Sequence, residues 1–223
     1  MEKKKNDFIA QGSILAIASI LVRVMGMIYR IPMTAIIGDK GNGFYSYAYS
    51  VYTILLLLSS YSLPLAVSKM VSAKAQLGQW RNVKRVFICA IAFAIGIGTT
   101  FGLTVLIGAQ FFTRVFFHSE LAAIALRFMA PTILIMALLG VFRGFFQGLQ
   151  NTLPTAVSQI VEGLINAIMS VVFAYFLFDF GHGMDAAGGT TDLGYAWGAA
   201  GGAIGTGAGA LAGLIFCFIL FVA

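Results

Sequence analysis

The run from Phe8 to Ile37 is apolar enough to cross a bilayer, yet it holds two arginines. Its core, ILAIASILVRVMGMIYRIPMTAII (14–37), exceeds the ~20 residues that a spanning helix needs. Arg23 sits near the middle and Arg30 about two helical turns later, so both guanidinium groups leave one face. Gly12, Ala16, Ser19, Gly26 and Thr34 continue that face, which is therefore small, polar or cationic along its length. A central arginine facing lipid costs ~2.5–3.5 kcal/mol. The stripe is expected to line a bundle interior or a wet cavity, and its own helix supplies no acid to neutralise it.

The class follows from composition. Hydrophobic residues make up 60% of the chain and charged residues 10%, gathered into long apolar runs rather than short alternating ones. That pattern reads as an all-α integral membrane protein and excludes a soluble domain. The net charge of +6 does not imply nucleic acid, because the basic residues cluster beside helix ends. The opening MEKKKNDF precedes no small-residue cleavage site, so the first run reads as a retained span. Cys89 and Cys217 both lie in apolar runs and read as small buried apolar residues.

Six spans are expected, at about 8–38, 44–76, 85–112, 120–146, 154–180 and 193–223, as a single six-helix lobe. The connections are GDKGNG, LGQWRNVKR, TRVFFHSE, QGLQNTLP and the longer DFGHGMDAAGGTTD. Lys3, Lys4, Lys5, Lys69, Lys74, Arg81, Lys84, Arg85 and Arg143 fall at one set of ends, against Lys40 and Arg114 at the other. The positive-inside rule then puts the N-terminus in the cytoplasm. Arg143 counts towards topology in this reading rather than towards a site.

Polar residues inside the spans nominate the site. Gln159, Glu162 and Asn166 share a stripe on span five, and Glu162 lies roughly 12 Å along the helix from Pro154. An acid at that depth needs a partner, and Arg23, nearest in depth, is the one expected. Arg127 on span four either joins the cavity or snorkels to the outer headgroups. Tyr45, Tyr49 and Tyr52 recur on one face of span two, with Tyr45 read as an interfacial anchor and Tyr52 as deep enough to need a partner. Pro32, Pro64 and Pro131 are expected to kink their helices and to serve as hinges. Gly98 and Gly102 on span three, and Gly201, Gly205, Gly209 and Gly213 on span six, permit close helix contacts.

Two arginines, with a contribution from Arg127, against one glutamate make a net positive cavity. Arginine's planar fork suits phosphate oxygens and its charge does not titrate away, so phosphate or pyrophosphate is the expected ligand. No catalytic motif, metal-ligand set or cofactor motif stands in the sequence, and His118 and His182 read as solvated loop residues.

RVMGMIYRIPMTAIIG, GNGFYSYAYSVYTILLLLSS, SLPLAVSKMVS, GVFRGFFQGLQNTLPTAVSQIVE and GAAGGAIGTGAGALAGL together resemble the stage V sporulation protein B-like branch of polysaccharide biosynthesis proteins. That branch sits in the multidrug/oligosaccharidyl-lipid/polysaccharide exporter superfamily and is similar to lipid II flippases. The resemblance implies a two-lobed, MATE-like fold of alternating access, with a cationic cavity for an undecaprenyl-pyrophosphate-linked sugar. It maps the first-helix arginines onto Arg23 and Arg30 and the span-five acid onto Glu162. It also implies a second lobe, expected from a continuation of the reading frame or a partner chain. Membrane lipids, cell-wall synthases and a coupling ion or the membrane potential are the further partners it implies. A cation-coupled multidrug exporter and a non-transporting scaffold for cell-wall synthesis are the competing readings.

Overall fold

The computed structural model describes residues 2–60, 62–188 and 192–222, with side chains described from residue 12 onward except 187–188. Those residues form six α-helices and no strand: α1 Glu2–Ser59, α2 Leu63–Gln76, α3 Trp80–Phe117, α4 Ala122–Gly148, α5 Leu153–Gly188 and α6 Leu193–Val222. Five stretches are long and apolar enough to cross a membrane, the first running from Gly12 to Gln76. The protein is an all-helical integral membrane bundle.

α1 carries a break that divides it into two arms. Gly38 has φ 63° and ψ −178°, a conformation essentially confined to glycine. The departure from helical backbone within α1 is at Gly38, and Pro32 lies within helix six residues before it. Pro131 likewise lies inside α4. Pro64 does interrupt span two: helix stops after Ser59 and resumes as α2, where the proline occupies the first turn, the position where its missing N–H costs nothing.

α4 is the central helix. Its buried residues join two apolar clusters, one towards each end of the bundle. The first gathers Met33, Ile37, Tyr45, Tyr52, Val105, Leu126, Met129 and Ile133. The second gathers Leu63, Val67, Val71, Phe87, Leu139, Val141 and Phe142, with Cys217 buried among them as expected of a small apolar residue. Phe87, Phe145 and Phe221 cluster at that second end, with ring centroids 4.7–5.4 Å apart.

Two glycine seams set the helix spacing. A Cβ at Gly201 would fall on the Phe173–Ala174 backbone, one at Gly205 on Ser170, and one at Gly209 2.6 Å from the Glu162 carbonyl oxygen. The α6 repeat thus lets α5 approach to backbone contact. On α4, Gly144 and Gly148 do the same for α2, with Cβ positions 2.6 Å from the Pro64 carbonyl oxygen and 2.7 Å from Val71. Gly98 and Gly102 face Leu134 and Ala130 of α4, the close contact their spacing predicts.

The connection after span five differs from expectation. DFGHGMD does not form a loop: α5 continues to Gly188, and Asp185 accepts the Leu193 and Gly194 N–H groups at 3.0 and 2.9 Å. A side-chain cap on the first orphan donors of α6 explains the aspartate without a turn. His182 lies within helix, 3.8 Å from Asp185 and edge-on to Phe178, not in a solvated loop. Lys40, just past Gly38, meets Asp192 at the start of α6 at 2.9 Å, and Arg114 meets Glu120 at 3.6 Å across the α3–α4 turn. Lys3, Lys4 and Lys5 have side chains outside the described residues, as do 189–191 of the last connection and Ala223.

Leucine at position 205 must displace Ser170, so Gly205→Leu is expected to cost about 3 kcal/mol. Gly96→Ala, where a Cβ meets nothing within 4 Å, leaves stability unchanged or slightly higher. Thermal unfolding of the two variants in detergent checks the contrast.

Candidate functional site

The seam between α5 and α6 decides which way α5 presents its polar stripe. With Gly209 against Glu162 and Asn166, and Gly213 near Ser158, the α5 backbone is held at fixed height beside α6. Ser158 and Glu162, one turn apart, then reach across to α4, which α5 otherwise barely touches. Arg143 answers from α4: its Nη2 donates to Glu162 Oε2 at 2.6 Å and its Nε to Ser158 Oγ at 2.9 Å. The side chains keep only 12% and 24% of their surface exposed. A charge-assisted, doubly anchored arginine of this kind is a strong contact.

This corrects the expected pairing. Glu162 is bound by Arg143, not Arg23, and Arg143 is a buried partner rather than a topology marker. Depth along the helices matched Glu162 to Arg23, but lateral position decides the contact, and α4 lies opposite the Ser158–Glu162 face.

Arg23 and Arg30 instead stand on the first arm of α1, exposed within an open cavity of about 580 Å³. Tyr29, Tyr45, Tyr49, Tyr52, Met136, Glu162, Asn166 and Thr206 line the same space. Among the described residues no carboxylate comes within 4 Å of either arginine. Asn166 accepts the Ser170 hydroxyl at 2.8 Å. Tyr45 is not an interfacial anchor: it is 2% exposed, with its hydroxyl 3.4 Å from Thr206 Oγ1.

The α5 stripe divides between two spaces. Gln159 lines a smaller chamber of about 270 Å³ with Ser60, Arg143, Gln147 and Thr155, and its Oε1 is buried without a hydrogen bond. Leu56 and Met136 line both spaces, and the Arg143–Glu162 pair spans them. Arg127 joins neither. It is exposed in the first turns of α4, where a long side chain can reach a headgroup. Sequence reading missed Arg143 and Ser158; the one available signal was an arginine set among Gly140, Gly144 and Gly148 of an intramembrane helix.

An all-helical bundle with five stretches long and apolar enough to cross a membrane defines a polytopic membrane protein. The chain belongs to the family described as Polysaccharide biosynthesis protein, which it matches over residues 8–222. It is similar to Stage V sporulation protein B of Bacillus subtilis (strain 168), 26% identical over 218 residues, 97% of this chain and 39% of the relative. It is also similar to Lipid II flippase MurJ of the same strain, 26% identical over 70% of this chain and 30% of that protein. A third relative there, Uncharacterized membrane protein YabM, is 26% identical over 82% of the chain and 34% of its own length. The chain thus spans between 30% and 39% of the length of these relatives. No solved structure matches it at a significant level. It is a multi-pass protein of the bacterial membrane.

A double-mutant cycle tests the geometry. Arg143→Ala and Glu162→Ala are each expected to cost about 2 kcal/mol, with coupling above ~1 kcal/mol, because either change strands a half-buried charge. The Arg23–Glu162 cycle is expected to be additive within ~0.5 kcal/mol, read from unfolding in the same detergent.

Proposed function

We infer that the protein contributes one lobe of a flippase that moves a polyprenyl-pyrophosphate-linked oligosaccharide from the inner to the outer leaflet. The observation that carries this reading is the assignment of Glu162 to Arg143. With the acid taken, Arg23 and Arg30 keep their full charge in an open cavity. Two exposed positive charges lining one cavity attract an anion, and pyrophosphate matches the arginine fork. The similarity to a lipid II flippase and to a stage V sporulation protein supports the same substrate class. A peptidoglycan or spore-cortex precursor fits that class.

In this reading Arg23 and Arg30 hold the pyrophosphate, Asn166 and Glu162 shape the cavity floor, and Gln159 lies in the chamber beneath it. A second lobe, from the rest of the reading frame or a partner chain, closes the open side. Pro32, Pro64 and Pro131 lend flexibility to that rocking motion, as broken helices do in repeat-built transporters. The basic end with Lys69, Lys74, Arg81, Lys84 and Arg85 faces the cytoplasm.

Arg23→Ala or Arg30→Ala, made in the protein expressed from its whole reading frame, is expected to abolish outer-leaflet exposure of the lipid precursor. Exposure is read by accessibility to an added lipid-cleaving enzyme, and unchanged exposure at normal protein level would sink the reading. Orientation is tested separately: a cysteine at position 74 should label only from the cytoplasmic side, and one at position 40 only from outside.

A further inference from the structure

The cavity has a second wall that the anion reading leaves unused. Opposite the arginine arm, the second arm of α1 presents Tyr45, Tyr49 and Tyr52 on one face. Their rings form a ladder, with centroids 5.8 Å apart for Tyr45–Tyr49 and 5.9 Å for Tyr49–Tyr52. Tyr45 is the fixed rung, buried and held at Thr206. Tyr49 stacks on it and remains 39% exposed, its ring part of the cavity surface. Tyr52 is only 3% exposed as a whole, but it lines the cavity, its hydroxyl oxygen is not sealed from that space, and no described residue hydrogen-bonds to it.

The wall therefore offers uncharged ring faces and unclaimed hydroxyls, a few side chains away from two bare arginines. A pyranose supplies the complement: an apolar C–H face for an aromatic ring and peripheral hydroxyls for a phenol. We propose that the Tyr49–Tyr52 wall binds the sugar rings next to the pyrophosphate, so that the cavity selects glycosylated over unglycosylated polyprenyl pyrophosphate. Tyr49 packs against a ring face and Tyr52 exchanges a hydrogen bond with a sugar hydroxyl. This rests on the reading of the cavity as a polyprenyl-pyrophosphate site, and it adds to that reading what discriminates among such lipids.

Two lipid probes separate the two ideas: undecaprenyl pyrophosphate alone, and the same lipid carrying a disaccharide. Binding is measured on the protein from its whole reading frame in nanodiscs. Tyr49→Ala is expected to weaken the disaccharide lipid about five-fold, and Tyr52→Phe by a similar factor, with binding of the bare lipid unchanged. Tyr49→Phe keeps the ring and retains wild-type selectivity. Equal losses for both lipids would show a structural role and overturn the proposal, and so would no loss for either. If the wild-type protein binds neither lipid, the anion reading falls first and this one with it. If the bare lipid binds and selectivity is absent, only this inference falls.

Discussion

The close approach of α5 to α6 is the constraint on which the site depends. A Cβ at positions 201, 205 or 209 would overlap atoms of α5, so α5 would have to move away. Ser158 and Glu162 would then no longer reach Arg143 across a gap that few other contacts bridge. In a bilayer no hydrophobic force drives helices together, so surface fit and polar contacts must do so. Here both act on the same helix, the seam on one side and the ion pair on the other. Asp185 closes the end of the same hairpin by capping α6.

The ion pair in turn determines the electrostatics of the cavity. A lone glutamate facing two arginines would have left a charge of one to be met by ligand. Because Arg143 claims the glutamate, the open space carries two positive charges and no compensating one among the described residues.

Much of this was legible in the sequence, for reasons that can be named. The class followed from long apolar runs, and the first arm's arginines from a spacing of two turns. The glycine repeats of α3 and α6 announced close contacts, because only small residues repeat every fourth position at such seams. What escaped were lateral relations. Spacing along a helix gives depth and face but not which neighbour stands opposite, so Glu162 was matched to Arg23 and Arg143 was read as a topology marker. Tyr45 was placed at the interface by its height alone, although its neighbours Gly202 and Thr206 bury it. The stretch 179–188 carried turn residues that serve other ends: Gly181 abuts Gly194, and Asp185 caps the next helix.

The break at Gly38 has a consequence for how such a cavity changes over evolutionary time. The cationic wall and the aromatic wall are consecutive in the chain, joined through one residue in a glycine-only conformation. Each residue of an α-helix advances the face by about 100°. A single insertion or deletion at that joint would therefore rotate the tyrosine arm away from the arginine arm while leaving every side chain intact. The two walls are held in phase by the length of the joint, so chain length there is as much a determinant of the site as any residue that lines it.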